Sequence, residues 1–190
     1  DKLTAKAKEE GATTKFTAKD SADAFGYMAM AGWKTEDMLQ GIDGIMSLAA
    51  ASNEDLATTS DIVTDALTAF GLKASDSGHF ADVLAQASAN ANTNVGMMGE
   101  SFKYVAPVAG ALKYSVEDVS LALGLMANAS VKGSMAGTSL KTSLANMAAP
   151  TDKMEAAMDK YGISLTKRNG EMKTMHEVLD NLRSSLGGLS

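Results

Sequence analysis

Apolar residues recur along the chain at spacings of three and four: Met38, Ile42, Ile45 and Ala49; Leu56, Val63, Leu67 and Phe70; Val116, Val119, Leu123 and Met126; Met175, Leu179, Leu182 and Leu186. That period places each set on one face of a helix. Helix amino ends need side-chain acceptors, and the runs are preceded by suitable residues: Thr17 with Asp20 three positions on, Ser52 with Asp55, Ser115 with Asp118, Thr174 with Glu177, and Thr35 ahead of Glu36 and Asp37. Glycines stand where the runs stop, at Gly32, Gly71, Gly110, Gly162 and Gly187, because a left-handed closing residue costs least without a Cβ. The pattern predicts an all-α fold, a compact array of roughly nine short to medium helices, most of them about 12 to 18 residues long.

One stretch departs from it. Ile163-Ser-Leu-Thr166 and Glu171-Met-Lys-Thr174 flank Asn169-Gly170, which predicts a small β-hairpin over 163–174. Strands so short cannot stand alone in water, so the hairpin is expected as a flap between helices. The chain then divides into a helical body over 1–150 and a segment over 151–190, made of a helix, the hairpin and a terminal helix packed on that body. Within the body, Met30-Ala-Gly-Trp-Lys-Thr-Glu-Asp-Met38 and the stretch from Val108 to Val119 share one order: helix, Ala-Gly stop, short link, hydroxyl cap, Glu-Asp, helix. The helical hairpins at about 17–71 and 97–148 read either as a degenerate duplication or as two unrelated helix-turn-helix units.

Three positions stand out for a structural or interaction role: Trp33, Tyr104 and Pro107. Pro107 falls in a stretch that otherwise reads as helix, where it removes a donor and clashes with the carbonyl of Lys103, so a turn between helices is expected there. Trp33 follows the Gly32 stop and is expected as a core plug beside a helix end rather than a binding hot spot. The methionines read as gap-filling core.

Composition narrows the function. With 190 residues and 45% hydrophobic content, the chain can bury about 70% of its unfolded surface. Aromatics are only 5% against 13 Met and many Ala and Leu, which suits close helix packing. The absence of cysteine excludes disulfides and thiolate metal sites. Net charge is -6, but 13 acidic residues against four Lys lie between Ser21 and Val131, a net of -9, which leaves the two ends together at +3. An acidic middle disfavours a duplex-binding surface, since phosphate affinity comes from Lys and Arg. The five Lys from Lys2 to Lys19 alternate with acids and read as a solvated helix face. Opening at Asp1 with no initiator Met, basic leader or apolar block, the sequence is expected to be a piece of a longer polypeptide.

No reaction chemistry is expected. A Ser-His-acid nucleophile needs a histidine partner, and His79 and His176 each fall in the first turn of a predicted helix without a Gly-x-Ser-x-Gly elbow nearby. No His pair at helical spacing exists for zinc, Glu100 is a lone carboxylate, and Gly96, Gly99, Gly133 and Gly137 lack the Gly-Lys-Ser/Thr of a phosphate loop. Catalytic, metal and cofactor sites are therefore expected to be absent. The most apolar run, Val119 to Val131, is far shorter than the roughly 20 residues of a spanning helix, although its Ala- and Gly-rich faces suit close helix approach.

Several segments together, in order, resemble a known family. Met28 to Met38, Ala51 to Leu67, Asn92-Thr-Asn-Val95, Phe102 to Gly110 and Gly133-Ser-Met-Ala-Gly-Thr138 look like the core region of tape measure proteins of tailed bacteriophages, over nearly the whole chain. The resemblance implies a virion structural protein made in the bacterial host cytoplasm. It would occupy the tail lumen, template the tail tube, set tail length and leave ahead of the genome. It implies tail tube and tail tip proteins, tail assembly chaperones and further copies in a cyclic oligomer as partners, with host membrane contact during ejection. The alternatives are a membrane-active ejection module and a fragment of a cell-wall hydrolase. One straight helix of this length would reach roughly 285 Å, whereas the repeated caps and stops predict a body with a radius of gyration of roughly 16 Å. The segment is thus expected as a folded head or plug, with ruler length supplied by helix elsewhere.

Overall fold

In the computed structural model, which describes residues 1–187, the chain is a succession of ten α-helices and one short 3-10 turn: α1 (Lys2–Thr13), α2 (Ala18–Met30), α3 (Thr35–Ser52), α4 (Leu56–Phe70), the 3-10 turn (Ala74–Asp76), α5 (Ser77–Ala89), α6 (Val95–Ala111), α7 (Val116–Asn128), α8 (Gly133–Ala148), α9 (Asp152–Tyr161) and α10 (Met175–Leu186). The expected count of nine is one short. Ser52 closes α3 instead of opening α4, which is capped by Asp55 alone through a bond from the Thr58 N–H. Thr35 is likewise the first residue inside α3, whose Asp37 carboxylate accepts from the Lys34 N–H instead. The capping boxes at Thr17, Ser115 and Thr174 form as the spacing predicts.

Each helix from α2 to α6 packs more extensively on the helix two places further along the chain than on its immediate successor. The result is two layers, α2, α4, α6 and α8 in one and α3, α5 and α7 in the other, with α1 beside α2 and α10 beside α7. Neighbours within a layer run parallel: Gly99 near the amino end of α6 meets Ile62 midway along α4, and Gly110 meets Ala69 near both carboxyl ends. The helices of the first layer begin at Ala18, Leu56, Val95 and Gly133, a period of about 38 residues. Between the layers lie Phe80, Phe102, Met28, Ile42, Ile45, Leu67, Leu84, Met98 and Leu123, all fully buried. Phe102 takes Phe80 edge-on at 5.6 Å and Phe70 at 6.0 Å between ring centroids.

Five links share one closing geometry. The N–H of Trp33, Leu72, Tyr114, Val131 and Ile163 bonds the carbonyl five residues earlier, and the residue just before each has a left-handed backbone: Gly32, Gly71, Lys113, Ser130 and Gly162. These are Schellman closures, which satisfy carbonyls that the helix end leaves free. Gly110, expected as a stop, lies inside α6, and Lys113 takes the left-handed position in its place. Pro107 does not make a turn either, because α6 continues through it to Ala111. Its ring faces solvent, where the carbonyl of Lys103 has water as an alternative partner.

The β-hairpin over 163–174 is not formed, and the segment holds one isolated antiparallel bridge between Thr166 and Met172. Two cross-strand backbone bonds flank the bridge, from the Lys167 N–H to the Glu171 carbonyl and from the Lys173 N–H to the Leu165 carbonyl, and beyond them the backbone bonds side chains instead of extending the pairing. The Ser164 hydroxyl bonds both the N–H and the carbonyl of Thr166, and the Asn181 side chain of α10 accepts from the Ser164 N–H and donates to the Gly162 carbonyl. Leu165 turns into the core, which pins the segment without a sheet.

Candidate interaction surface

The sequence singled out Trp33, Tyr104 and Pro107, and the structure brings only two of them together. Tyr104 and Pro107 share the solvent face of α6, where Tyr104 is 40% exposed. Beside them a cleft of about 680 Å³ separates α4 from α6, floored by Ile62, Ala66 and Phe102 and walled by Asp65, Lys103 and Pro107. Burial, and then the charge of Asp61, raises the Asp65 pKa above the usual carboxylate range. Trp33 stands apart in the α2–α3 link, half-buried against the core, its indole laid on Gly41 so closely that a Cβ there would overlap the ring.

A second groove, of about 320 Å³, runs between α5 and α7. Its floor is made of small residues, Ala87, Ala91 and Gly124, with the exposed Leu121 and Leu125 forming one wall. Ser120 also lines it, 3% exposed, with a hydroxyl that has no hydrogen-bond partner. At one end Glu117 meets His79 at 2.5 Å. Partial burial works against the Glu117 charge, but its own backbone N–H, His79 and Ser115 outweigh it and hold the pKa below the usual value. His176 pairs in the same way with Asp180 one turn on, at 3.2 Å.

Sequence reasoning missed the most buried charge in the chain. Glu10 of α1, 5% exposed, sits with Lys6, whose ammonium lies 2.9 Å from it and 3.0 Å from Asp43 of α3. Burial pushes the Glu10 carboxyl above its ordinary pKa despite Lys6, with Asp43 adding to the rise. Burial also works against the Lys6 charge, but the bonds to Glu10 and Asp43 prevail and its pKa ends above the ordinary lysine value. The i, i+4 spacing of Lys6 and Glu10 was legible; the third member, thirty-odd residues away, was not. Burial likewise raises the Tyr114 phenol to about 12, and its hydroxyl has no partner.

No group of three or more His, Asp or Glu among the described residues could hold a metal ion, and no helix there is long and apolar enough to cross a membrane. The described residues present two clefts on a stacked-helix body. The chain belongs to the phage-related minor tail protein family, whose model matches residues 4–190. It is 39% identical over 180 residues to the tape measure protein of Pneumococcus phage Dp-1, an alignment covering 95% of this chain and 16% of that protein. It is 25% identical over 183 residues to the probable tape measure protein of Escherichia phage P2, covering 96% of this chain and 22% of that one. The chain therefore spans less than a quarter of the length of either relative. No solved structure matches it.

Proposed function

We propose that the chain is a folded, non-catalytic structural module of a tail tape measure protein, acting in tail tube assembly and length determination from within the tail lumen. The observation that carries this reading is the co-linear match to tape measure proteins over nearly the whole chain. Its partners in this reading are tail tube and tail tip proteins, tail assembly chaperones and further copies of itself, and it leaves ahead of the genome at ejection. The body over 1–150 is read as a degenerate duplication of helical hairpins at about 17–71 and 97–148, and 151–190 as a segment packed on it.

In this reading the module contributes to length determination without being the ruler helix itself. A ruler helix advances about 1.5 Å per residue, whereas here the longest helix has 18 residues before the chain turns back. Length in this reading comes from helix outside the module, which serves as a head or plug. Deleting the segment from a phage should then yield tails whose length is unchanged or not proportionally reduced. Shortening by the full helical equivalent, roughly 285 Å, would sink the idea. Labelling the module in assembled virions, before and after ejection, tests the lumen placement directly.

A further inference from the structure

Glu117, Leu121, Gly124, Leu125 and Asn128 are spaced along α7 so that all five share one side of the helix. Leu121 and Leu125 stand out from that side, 41% and 51% exposed, beside the trough between α5 and α7. Gly124 lies in the trough itself. Glycine inside a helix is destabilising relative to alanine unless close packing demands it. This chain makes no such demand at Gly124, because a Cβ there would meet only the Ala91 Cβ, at an ordinary 3.5 Å, whereas at Gly99, Gly110 and Gly137 it would overlap a neighbouring helix. The two ends of the face differ in chemistry. Glu117 is the one charged residue that lines the groove. At the other end Asn128 accepts from the Asn92 N–H at 2.8 Å, which fixes its amide and leaves the Nδ2 hydrogens to donate elsewhere.

We propose that this face joins two copies of the chain, with their α7 helices antiparallel across a twofold axis. A single register satisfies shape and polarity together. When Leu121 of each copy stands opposite Gly124 of the other, Glu117 stands opposite Asn128, because both pairs are centred on the step between Ala122 and Leu123. Leu121 then fills the notch that a methyl group at Gly124 would close, as a knob enters a hole. At each end of the interface the Glu117 carboxylate accepts from the Asn128 amide, a bond strengthened by the charge. The middle of the contact is apolar and free of charge, as the centre of an interface requires. Charge also sets the direction: antiparallel helices hold the two Glu117 about 17 Å apart along the axis, beyond the roughly 8 Å over which such charges act in physiological salt. Parallel helices would set them side by side. The same patch serves both copies, so the contact closes at two.

This inference rests on the self-association in the reading above and gives it a site. The chain contains no cysteine, so cross-linking reads the register cleanly. A Glu117→Cys chain mixed with an Asn128→Cys chain under mild oxidation should give a disulfide-linked pair, which keeps one native Glu117–Asn128 contact, while neither variant oxidised alone should link. Linkage of Glu117→Cys to itself overturns the antiparallel arrangement, and association without the mixed link overturns the register. Light scattering over a dilution series is the second arm. Gly124→Ala and Leu125→Asp should each weaken association by about tenfold or more. At dilutions where the chain is monomeric, Gly124→Ala should also raise the thermal midpoint, which a folding defect would lower. Association that ignores both substitutions overturns the site while leaving self-association intact. A chain that stays monomeric at every concentration overturns both.

Discussion

Gly137 of α8 lies directly on the backbone carbonyl of Ser101 in α6, and the Ser101 hydroxyl donates to the Gly133 carbonyl at 2.8 Å. The two contacts bring the backbones of the most extensive helix pair in the molecule against each other. A methyl group at Gly137 has nowhere to go, because what it meets is backbone. Gly137→Ala should therefore lower stability by about 1–3 kcal/mol through forced separation of α6 and α8, against a helix-propensity gain of about 0.5–1 kcal/mol. Gly26→Ala is the control: it lies mid-helix in α2 with open space around its Cβ position, and should raise stability by about 0.5–1 kcal/mol. Urea titration of both variants reads the opposite signs, and equal losses would show that helix packing at Ser101 is not the cause.

The closures at Lys113 and Ser130 place L-residues at φ values of 65° and 67°. Three sister closures use Gly32, Gly71 and Gly162 at the same step. Left-handed backbone costs a residue with a Cβ about 1 kcal/mol. Lys113→Gly and Ser130→Gly should each stabilise the chain by up to about 1 kcal/mol, less what is lost to the extra freedom of glycine in the unfolded chain. Thermal melts check this, and the gains should add because the two sites lie in different links. A loss at both would mean that the lysine and serine side chains make a contribution of their own.

Those two closures also show where the sequence misleads. Gly32, Gly71 and Gly162 mark real stops, while Lys113 and Ser130 take the same left-handed step with no glycine to signal it. Gly110 has another use, close passage of α6 against the Ala69 carbonyl, which one sequence cannot distinguish from a stop. Capping boxes at Thr17, Ser115 and Thr174 were legible since their bonds are local. The hairpin was misread because its pairing ends at a single bridge, and the backbone at its start is held by Asn181, a distant residue that bonds the Ser164 N–H and the Gly162 carbonyl. The two-layer order depends on contacts between helices about 38 residues apart, of which the shared Ala-Gly links were only a faint trace. The α5–α7 groove was illegible for the same reason: Ala87, Ala91 and Gly124 read as ordinary core spacing until the two helices are placed side by side.

Asp55 carries the amino end of α4 alone, accepting at 2.8 Å from the Thr58 N–H and at 2.8 Å from its hydroxyl. The backbone bond, followed by the hydroxyl bond, holds its pKa below the ordinary 3.8. A carboxyl lowered in the folded state adds stability above the unfolded pKa and loses it as pH falls through the folded one. Asp55→Ala should cost about 1 kcal/mol at neutral pH, and the gap to the parent chain should narrow as the pH drops below about 4. Asp55→Asn keeps an oxygen acceptor but no titrating group, so its advantage over the alanine variant should stay constant with pH. Urea midpoints at several pH values separate the two, and a parallel pH response of Asp55→Asn and the parent would remove Asp55 from the acid sensitivity.

Pro107 is the remaining puzzle of the sequence, a proline inside a helix of 17 residues. The ring denies the Lys103 carbonyl its usual partner and crowds it, a combination that costs about 3 kcal/mol in a helix interior. The cost is tolerable at this position because the ring points to solvent, while Val105, Ala106 and Ala109 on the opposite side keep α6 seated against α4 and α8. Pro107→Ala restores the missing bond and removes no buried contact, so it should stabilise the chain by about 1–3 kcal/mol. Since Pro107 also walls the cleft between α4 and α6, the same variant tests a second point. If proline serves only the helix path, the more stable variant should assemble tails as well as the parent. Gained stability with lost assembly would make the cleft at Pro107 a contact surface for a tail partner.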